Sequence, residues 1–201
     1  HTRLPLVSWA RRCVQETVSP LRIRAFRQHL SIYLGGYISQ DIFNTAFPIF
    51  VATVMLGATV MISQMMTAMY VAQLVSVMIA IHLVIRVGPA VAYRIAIAFF
   101  GAALLVLLAF YLVRPTIDAA NLLSPATALW LVVPILLAGL GRGTLNFVPW
   151  SVYNYLPDVD EAVTGRRREG VFAGVMTLVR KVAQSGAIIV TGWIIDAGGY
   201  V

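Results

Sequence analysis

The sequence predicts an all-α integral membrane protein with five transmembrane helices. Three observations carry that expectation. First, 60% of the 201 residues are hydrophobic and only 11% are charged, with a mean hydropathy of +0.84, whereas a soluble domain has about 45–50% apolar and about 25% charged residues. A core built from so short a chain cannot hide that much apolar surface from water. Second, the apolar residues fall in runs long enough to cross a bilayer core, which needs about 20 residues per helix. Third, the basic residues gather at alternate gaps between those runs, as topology requires.

The runs follow in order. Residues 1–29 are basic and poorly periodic, a connector ending in a short amphipathic lead-in at 21–26. The spans are expected at about 30–56, 62–85, 93–113, 127–155 and 171–195. Gly57, Gly88-Pro89 and the stretch from Arg114-Pro115 to Pro125 separate the first four. A charged cytoplasmic loop, 157–168, separates the last two. Arg3, Arg11, Arg12, Arg22, Arg24 and Arg27 precede the first span, Arg86 and Arg94 follow the second, and Arg166, Arg167 and Arg168 follow the fourth. The opposite side carries Arg114 alone. The positive-inside rule therefore places the N-terminal segment in the cytoplasm of a multi-pass protein of the cell membrane. A sixth span beyond Val201 is expected, which would complete one half of an architecture built from two six-helix halves.

Several function classes are excluded. The net charge of +7 is divided among the gaps and forms no continuous stripe for nucleic acid. The single cysteine, Cys13, rules out an internal disulfide and a multi-cysteine metal site. No nucleophile–base pair, metal-ligand cluster or nucleotide motif is visible. No catalytic residue, no metal ligand and no covalently bound cofactor is therefore expected, and the chain does not read as an enzyme.

Ionisable groups at membrane depth cost about 2.5–3.5 kcal/mol to insert, so they normally face a bundle interior or a water-filled cavity. Asp41 in the first span, Arg142 in the fourth and Arg180-Lys181 in the fifth lie near mid-depth. Their neighbours repeat at helical spacing: Tyr33, Tyr37, Asp41 and Asn44 with Gln40 beside them; Arg142, Asn146 and Trp150; Thr177, Lys181 and Ser185. Tyr37, Asp41, Arg142, Asn146 and Lys181 are expected to converge on one hydrated cavity. The alternative is polar glue between helices. Gly139, Gly141 and Gly143 around Arg142 suit close helix approach.

The segment Val148-Pro-Trp-Ser-Val-Tyr-Asn-Tyr-Leu-Pro-Asp-Val-Asp-Glu-Ala-Val-Thr-Gly-Arg-Arg-Arg-Glu-Gly170 resembles the tenth-to-eleventh-helix region of the glycoside–pentoside–hexuronide:cation symporters. These form the melibiose-permease-like branch of the major facilitator superfamily. The pattern is Asp158, Glu161, Thr164-Gly165, the arginines and Glu169, then Lys181 sixteen residues after Gly165. The entry at Arg24-Ala-Phe-Arg27 and the end at Gly198-Gly-Tyr200 are similar to the family's seventh and eleventh helices. The resemblance implies five helices of a six-helix C-terminal half, with the sixth missing. It implies a sodium or proton as coupling cation, an N-terminal six-helix half as partner, and a sugar or glycoside as solute. Tyr37, Asp41, Arg142, Asn146 and Trp150 would bind the solute and Lys181 would couple cation to closure. Asp158, Glu161, Arg166, Arg167 and Arg168 would form a cytoplasmic gate. Departures are Tyr155 in place of an acid and Asn146 where melibiose permease has an aromatic. The wording Val-Pro-Trp-Ser…Leu-Pro-Asp-Val is also similar to lysophospholipid symporters of the same branch, so an amphiphile is the alternative solute. A membrane scaffold that transports nothing is the competing class. Membrane lipid is the expected surrounding.

Overall fold

The computed structural model describes residues 19–54, 59–113, 125–165 and 168–199. Cys13 and most of the connector, the breaker at Gly57, the 114–124 loop, Arg166, Arg167 and Tyr200 lie outside the described residues. A 3-10 turn, Ser19–Arg22, leads into six helices: α1 Arg24–Val54, α2 Thr59–Val87, α3 Pro89–Val113, α4 Pro125–Tyr153, α5 Leu156–Thr164 and α6 Glu169–Ala197. The five long helices coincide with the five expected spans. Four are long and apolar enough to cross a membrane, within Thr59–Val87, Pro89–Val113, Trp130–Ala162 and Glu169–Ala197. α1 is as long but more polar, because Gln40, Asp41, Asn44 and Thr45 interrupt it.

The expected charged loop is instead partly helical. Pro157 sits in the first turn of α5, where its missing N–H costs nothing. Asp158 in that turn complements the helix dipole. Gly165, at φ 68°, closes the helix with its N–H on the Glu161 carbonyl.

The chain divides into two compact units. The unit Gln40–Val148 holds α2, α3 and the adjoining parts of α1 and α4. Gly88, at φ 84°, turns α2 directly into Pro89, the first residue of α3. Each helix of that pair buries one narrow stripe: Met65, Met69, Ala72, Ser76 and Ala80 on α2; Ala92, Ala96, Phe100, Ala103, Leu107 and Phe110 on α3. The remaining surface is apolar and exposed, with Leu74, Met78, Ile85, Leu105 and Leu112 pointing outward, as a lipid solvent demands. α4 packs backbone to backbone here. A Cβ on Gly139 would fall 2.5 Å from the Met69 carbonyl oxygen, one on Gly143 2.5 Å from that of Gln73, and one on Gly141 2.8 Å from the Phe100 nitrogen. Gly139 and Gly143, one turn apart, meet α2, while Gly141 between them meets α3. Ser76 closes the α2–α4 seam, donating to the Leu140 carbonyl and lying 3.1 Å from the Thr144 hydroxyl.

The second unit holds the 3-10 turn, the first part of α1, the end of α4, α5 and α6. Phe26, Leu30, Tyr33, Leu156, Phe172, Val175 and Met176 form its core, with Phe26 and Phe172 edge to face at 5.0 Å.

Candidate functional site

In the unit Gln40–Val148 the polar network centres on Arg142. The close approach at Gly141 and Gly143 starts its side chain inside the packing, and it is 4% exposed. Nη1 donates to Asn44 Oδ1 at 2.6 Å and to Met69 Sδ at 3.8 Å. The guanidinium lies 5.7 Å from the centroid of the Tyr70 ring. Asp41, three residues before Asn44, is within electrostatic reach of it, with Oδ2 buried. One turn beyond Arg142, Asn146 and Gln40 exchange a pair of amide hydrogen bonds, both 3.2 Å. Arg142 Nε and Gln73 Oε1 are buried with no hydrogen-bond partner among the described residues. A donor and an acceptor left in this way each forfeit about 1–3 kcal/mol unless a guest supplies the missing bond.

In the second unit four rings gather. Tyr33 and Tyr37 lie 4.6 Å apart, Tyr33 meets Trp150 edge-on at 5.9 Å, and Trp150 meets Tyr153 at 5.7 Å. Trp150 Nε1 donates to the Tyr37 hydroxyl at 3.0 Å, which leaves its 42%-exposed ring face for other contacts. The Arg180 guanidinium sits 4.1 Å over the Tyr37 ring. Lys181, about a hundred degrees further round α6, is exposed and donates to Gln184 Oε1 at 3.4 Å.

At the other end of α5, Asp160 is fully buried. Arg168 grips both its oxygens, Nε to Oδ2 at 2.9 Å and Nη2 to Oδ1 at 2.6 Å, and the Thr164 hydroxyl adds a contact to Oδ1 at 3.3 Å. Asp158 and Glu161, which the sequence pattern favours, are exposed.

The expected site residues therefore fall in two groups. Asp41, Arg142 and Asn146 belong to one unit; Tyr37, Trp150 and Lys181 belong to the other. Tyr37 and Trp150 are joined directly, and Arg180, not Lys181, is the cation at their cluster. Tyr70 and Gln73 were not marked by the sequence as site residues, and Asp160 was expected only as one of three connector acids, with Asp158 and Glu161, close to the arginines. The three-residue intervals Tyr70–Gln73–Ser76 within a Met-rich helix were the available signal for the first two.

Long apolar helices enclosing charged and amide side chains at mid-span define a polytopic membrane protein. A family model described as MFS/sugar transport protein matches residues 13–201, and the chain belongs to that family. It is also similar to an uncharacterized symporter of Synechocystis sp., 34% identical over 82 residues, a stretch covering 36% of this chain and 15% of that relative. No solved structure matches significantly. The family is one of transporters, not enzymes.

Proposed function

We propose that the chain supplies the C-terminal half of a cation-coupled symporter carrying a sugar or glycoside by alternating access of two six-helix halves. The observation that carries this reading is the buried network Asn44–Arg142 with the Gln40–Asn146 pair. A guanidinium and paired amides at mid-membrane are what many hydroxyl groups need, since each can both donate and accept. Asp41, Arg142 and Asn146 are hydroxyl-binding groups in this reading, and Trp150 and Tyr37, in the other unit, are aromatic surfaces of the kind that packs on the C–H face of a sugar. The exposed Lys181 ammonium, at membrane depth, responds to the sodium or proton that drives the cycle. The Asp160–Arg168 clamp, together with Asp158 and Glu161 and with Arg166 and Arg167 just before Arg168 in sequence, is the cytoplasmic gate, because only a network that differs between two states can bias access.

The test is uptake by the intact protein in proteoliposomes with Lys181→Ala. Downhill flux of a neutral glycoside should survive while accumulation against a gradient is lost. Undiminished accumulation removes Lys181 from coupling. Failure of every sugar tried, with uptake of a lysophospholipid, replaces the sugar with an amphiphile.

A further inference from the structure

We propose that Gln73 is a specificity-determining residue: its amide oxygen and Nε of Arg142 hold one solute hydroxyl between them, the nitrogen donating to the hydroxyl oxygen and the hydroxyl donating to the amide. This rests on the transport reading above and adds a third helix, α2, to the hydroxyl-binding groups.

Helix register sets the two side chains together. α2 and α4 run parallel along their glycine seam, since Gly139 lies against Met69 and Gly143, one turn on, against Gln73 and Ser76. α1 runs the other way: Asn44 meets Arg142, and Gln40, one turn back, meets Asn146, one turn on. Arg142 is flanked by Met69 and Tyr70 of α2. At about a hundred degrees per residue, Gln73 projects between the directions of those two side chains, one turn nearer the level of the Gln40–Asn146 pair. The backbone contact at Gly143, the residue after Arg142, brings Gln73 up against α4.

Arg142 Nε is a buried donor and Gln73 Oε1 a buried acceptor. Among the described residues neither has a hydrogen-bond partner, so they are not bonded to each other. The guanidinium is not free to swing, because Asn44 holds Nη1 and the residue is 4% exposed. Its charge also favours the oxygen over the nitrogen of the Gln73 amide beside it. Two unmet groups of opposite kind, each costly to leave buried, call for a third that accepts from one and donates to the other. A hydroxyl does both. A carboxylate or phosphate accepts from Nε but leaves Oε1 facing further lone pairs. An ammonium meets Oε1 but is repelled by the guanidinium. An ether accepts and donates nothing. The Gln40 and Asn146 amides exchange bonds with each other, so the choice among these groups falls to Gln73 with Arg142.

The experiment uses the intact protein in proteoliposomes. The probes are methyl glucoside, methyl galactoside, the monodeoxy analogues of each, and lysophosphatidylcholine with its 2-O-methyl ether. In the wild type, loss of one particular hydroxyl should lower uptake about tenfold or more, because a site that binds a hydroxyl leaves its own buried groups unpaired when the hydroxyl is missing. Gln73→Met should bring the parent glycoside and that deoxy analogue level, by lowering uptake of the parent. Thermal unfolding of solute-free Gln73→Met in detergent should match or exceed the wild type, since a buried acceptor without a partner has been removed at nearly constant volume. A preference for lysophosphatidylcholine over its ether that depends on Gln73, with no sugar taken up, ends the sugar reading and keeps the hydroxyl seat. Sugar uptake with no such preference, a preference that survives Gln73→Met, or a clear loss of thermal stability in that variant, the mark of a water held there for structure alone, overturns the proposal and leaves the sugar reading standing. Uptake of none of the probes overturns both.

Discussion

α4 and α6 look alike in sequence and do opposite things. Each is 29 residues long, each is broken by several glycines, and each carries a basic residue near its middle. Of the most apolar 18-residue stretch within Trp130–Ala162, 61% is buried, against 11% within Glu169–Ala197. On α4 the glycines touch neighbouring backbones; at Gly174, Gly186 and Gly192 on α6 an added Cβ would meet nothing within 4 Å. Arg142 is enclosed, while Lys181 faces outward. Small residues and charges in a membrane helix therefore report a role only once their surroundings are known. On α4 they build an interior. On α6 they form a surface whose apolar members, Leu178, Val182, Ile189 and Trp193, suit lipid.

The largest effect expected from this contrast comes from paired glycine substitutions. Gly143→Leu must push its side chain into the Gln73 carbonyl and the Ser76 Cβ, both within 2.6 Å of the new Cβ. Overpacking of this kind costs about 3 kcal/mol, more where backbone blocks relief. The matching Gly186→Leu on α6 should be neutral or slightly stabilising, since glycine in a helix is worse than a side chain by about 0.5–1 kcal/mol. Thermal unfolding in detergent reads both. Equal losses for the two would mean that α4 is not held more tightly than α6.

A smaller effect shows that the second unit also has an interior, at its α5 end. Asp160→Ala removes a fully buried carboxylate and takes its bidentate acceptor from Arg168, whose side chain is 21% exposed. Breaking a buried pair costs about 3–5 kcal/mol, and the partial exposure of Arg168 brings the expectation to about 2 kcal/mol. Asp158→Ala, on the exposed side of the same helix, should cost less than about 1 kcal/mol, the worth of an acid in a first helical turn. A reversal of that order would return the weight to the residues the sequence pattern singles out.

Next in size is Asn44→Ala, which leaves Arg142 Nη1 with the Met69 sulfur as its one partner among the described residues. The expected loss is about 1–2 kcal/mol. Arg142→Met should restore most of it, since an apolar side chain of similar length needs no partner. If Asn44→Ala changes nothing, the network does not hold α1 to α4.

The spans were legible in the sequence because lipid imposes one rule, continuous apolarity, over about 20 residues. The helix boundaries of α2, α3, α4 and α6 lie within a few residues of the expected ones for that reason. α5 was not legible, since a nine-residue helix rests on local capping by Pro157, Asp158 and Gly165 and not on any long pattern. Within the spans, spacing showed which residues share a helix face. It could not show which face is enclosed, and so it could not separate Arg180 from Lys181. The two differ by one position, yet only Arg180 meets Tyr37. The burial of Asp160 was hidden for a related reason: acids at 158, 160 and 161 are equivalent in sequence, and only packing buries the middle one.

The smallest effect concerns His29, the last residue before the first expected span. It is 6% exposed, and its Nε2 has no hydrogen-bond partner among the described residues. Burial strips water from the imidazolium and so holds the imidazole below its ordinary value of 6.5. The unfolded chain keeps the ordinary value. Above it both states are neutral there and the contribution to stability is complete. As pH falls through about 6.5, the unfolded state binds a proton that the folded state refuses. Stability then declines, by at most about 1.4 kcal/mol per pH unit, until the folded imidazole is itself protonated. Arg142 is buried as deeply but contributes no such slope, because its guanidinium does not titrate in this range. The unfolding midpoint in detergent, followed from pH 8 to pH 5, should therefore fall less in His29→Leu than in the wild type. Identical slopes for the two would mean that His29 meets its proton equally in both states, and the second unit would then have no buried titrating group at its entrance to α1.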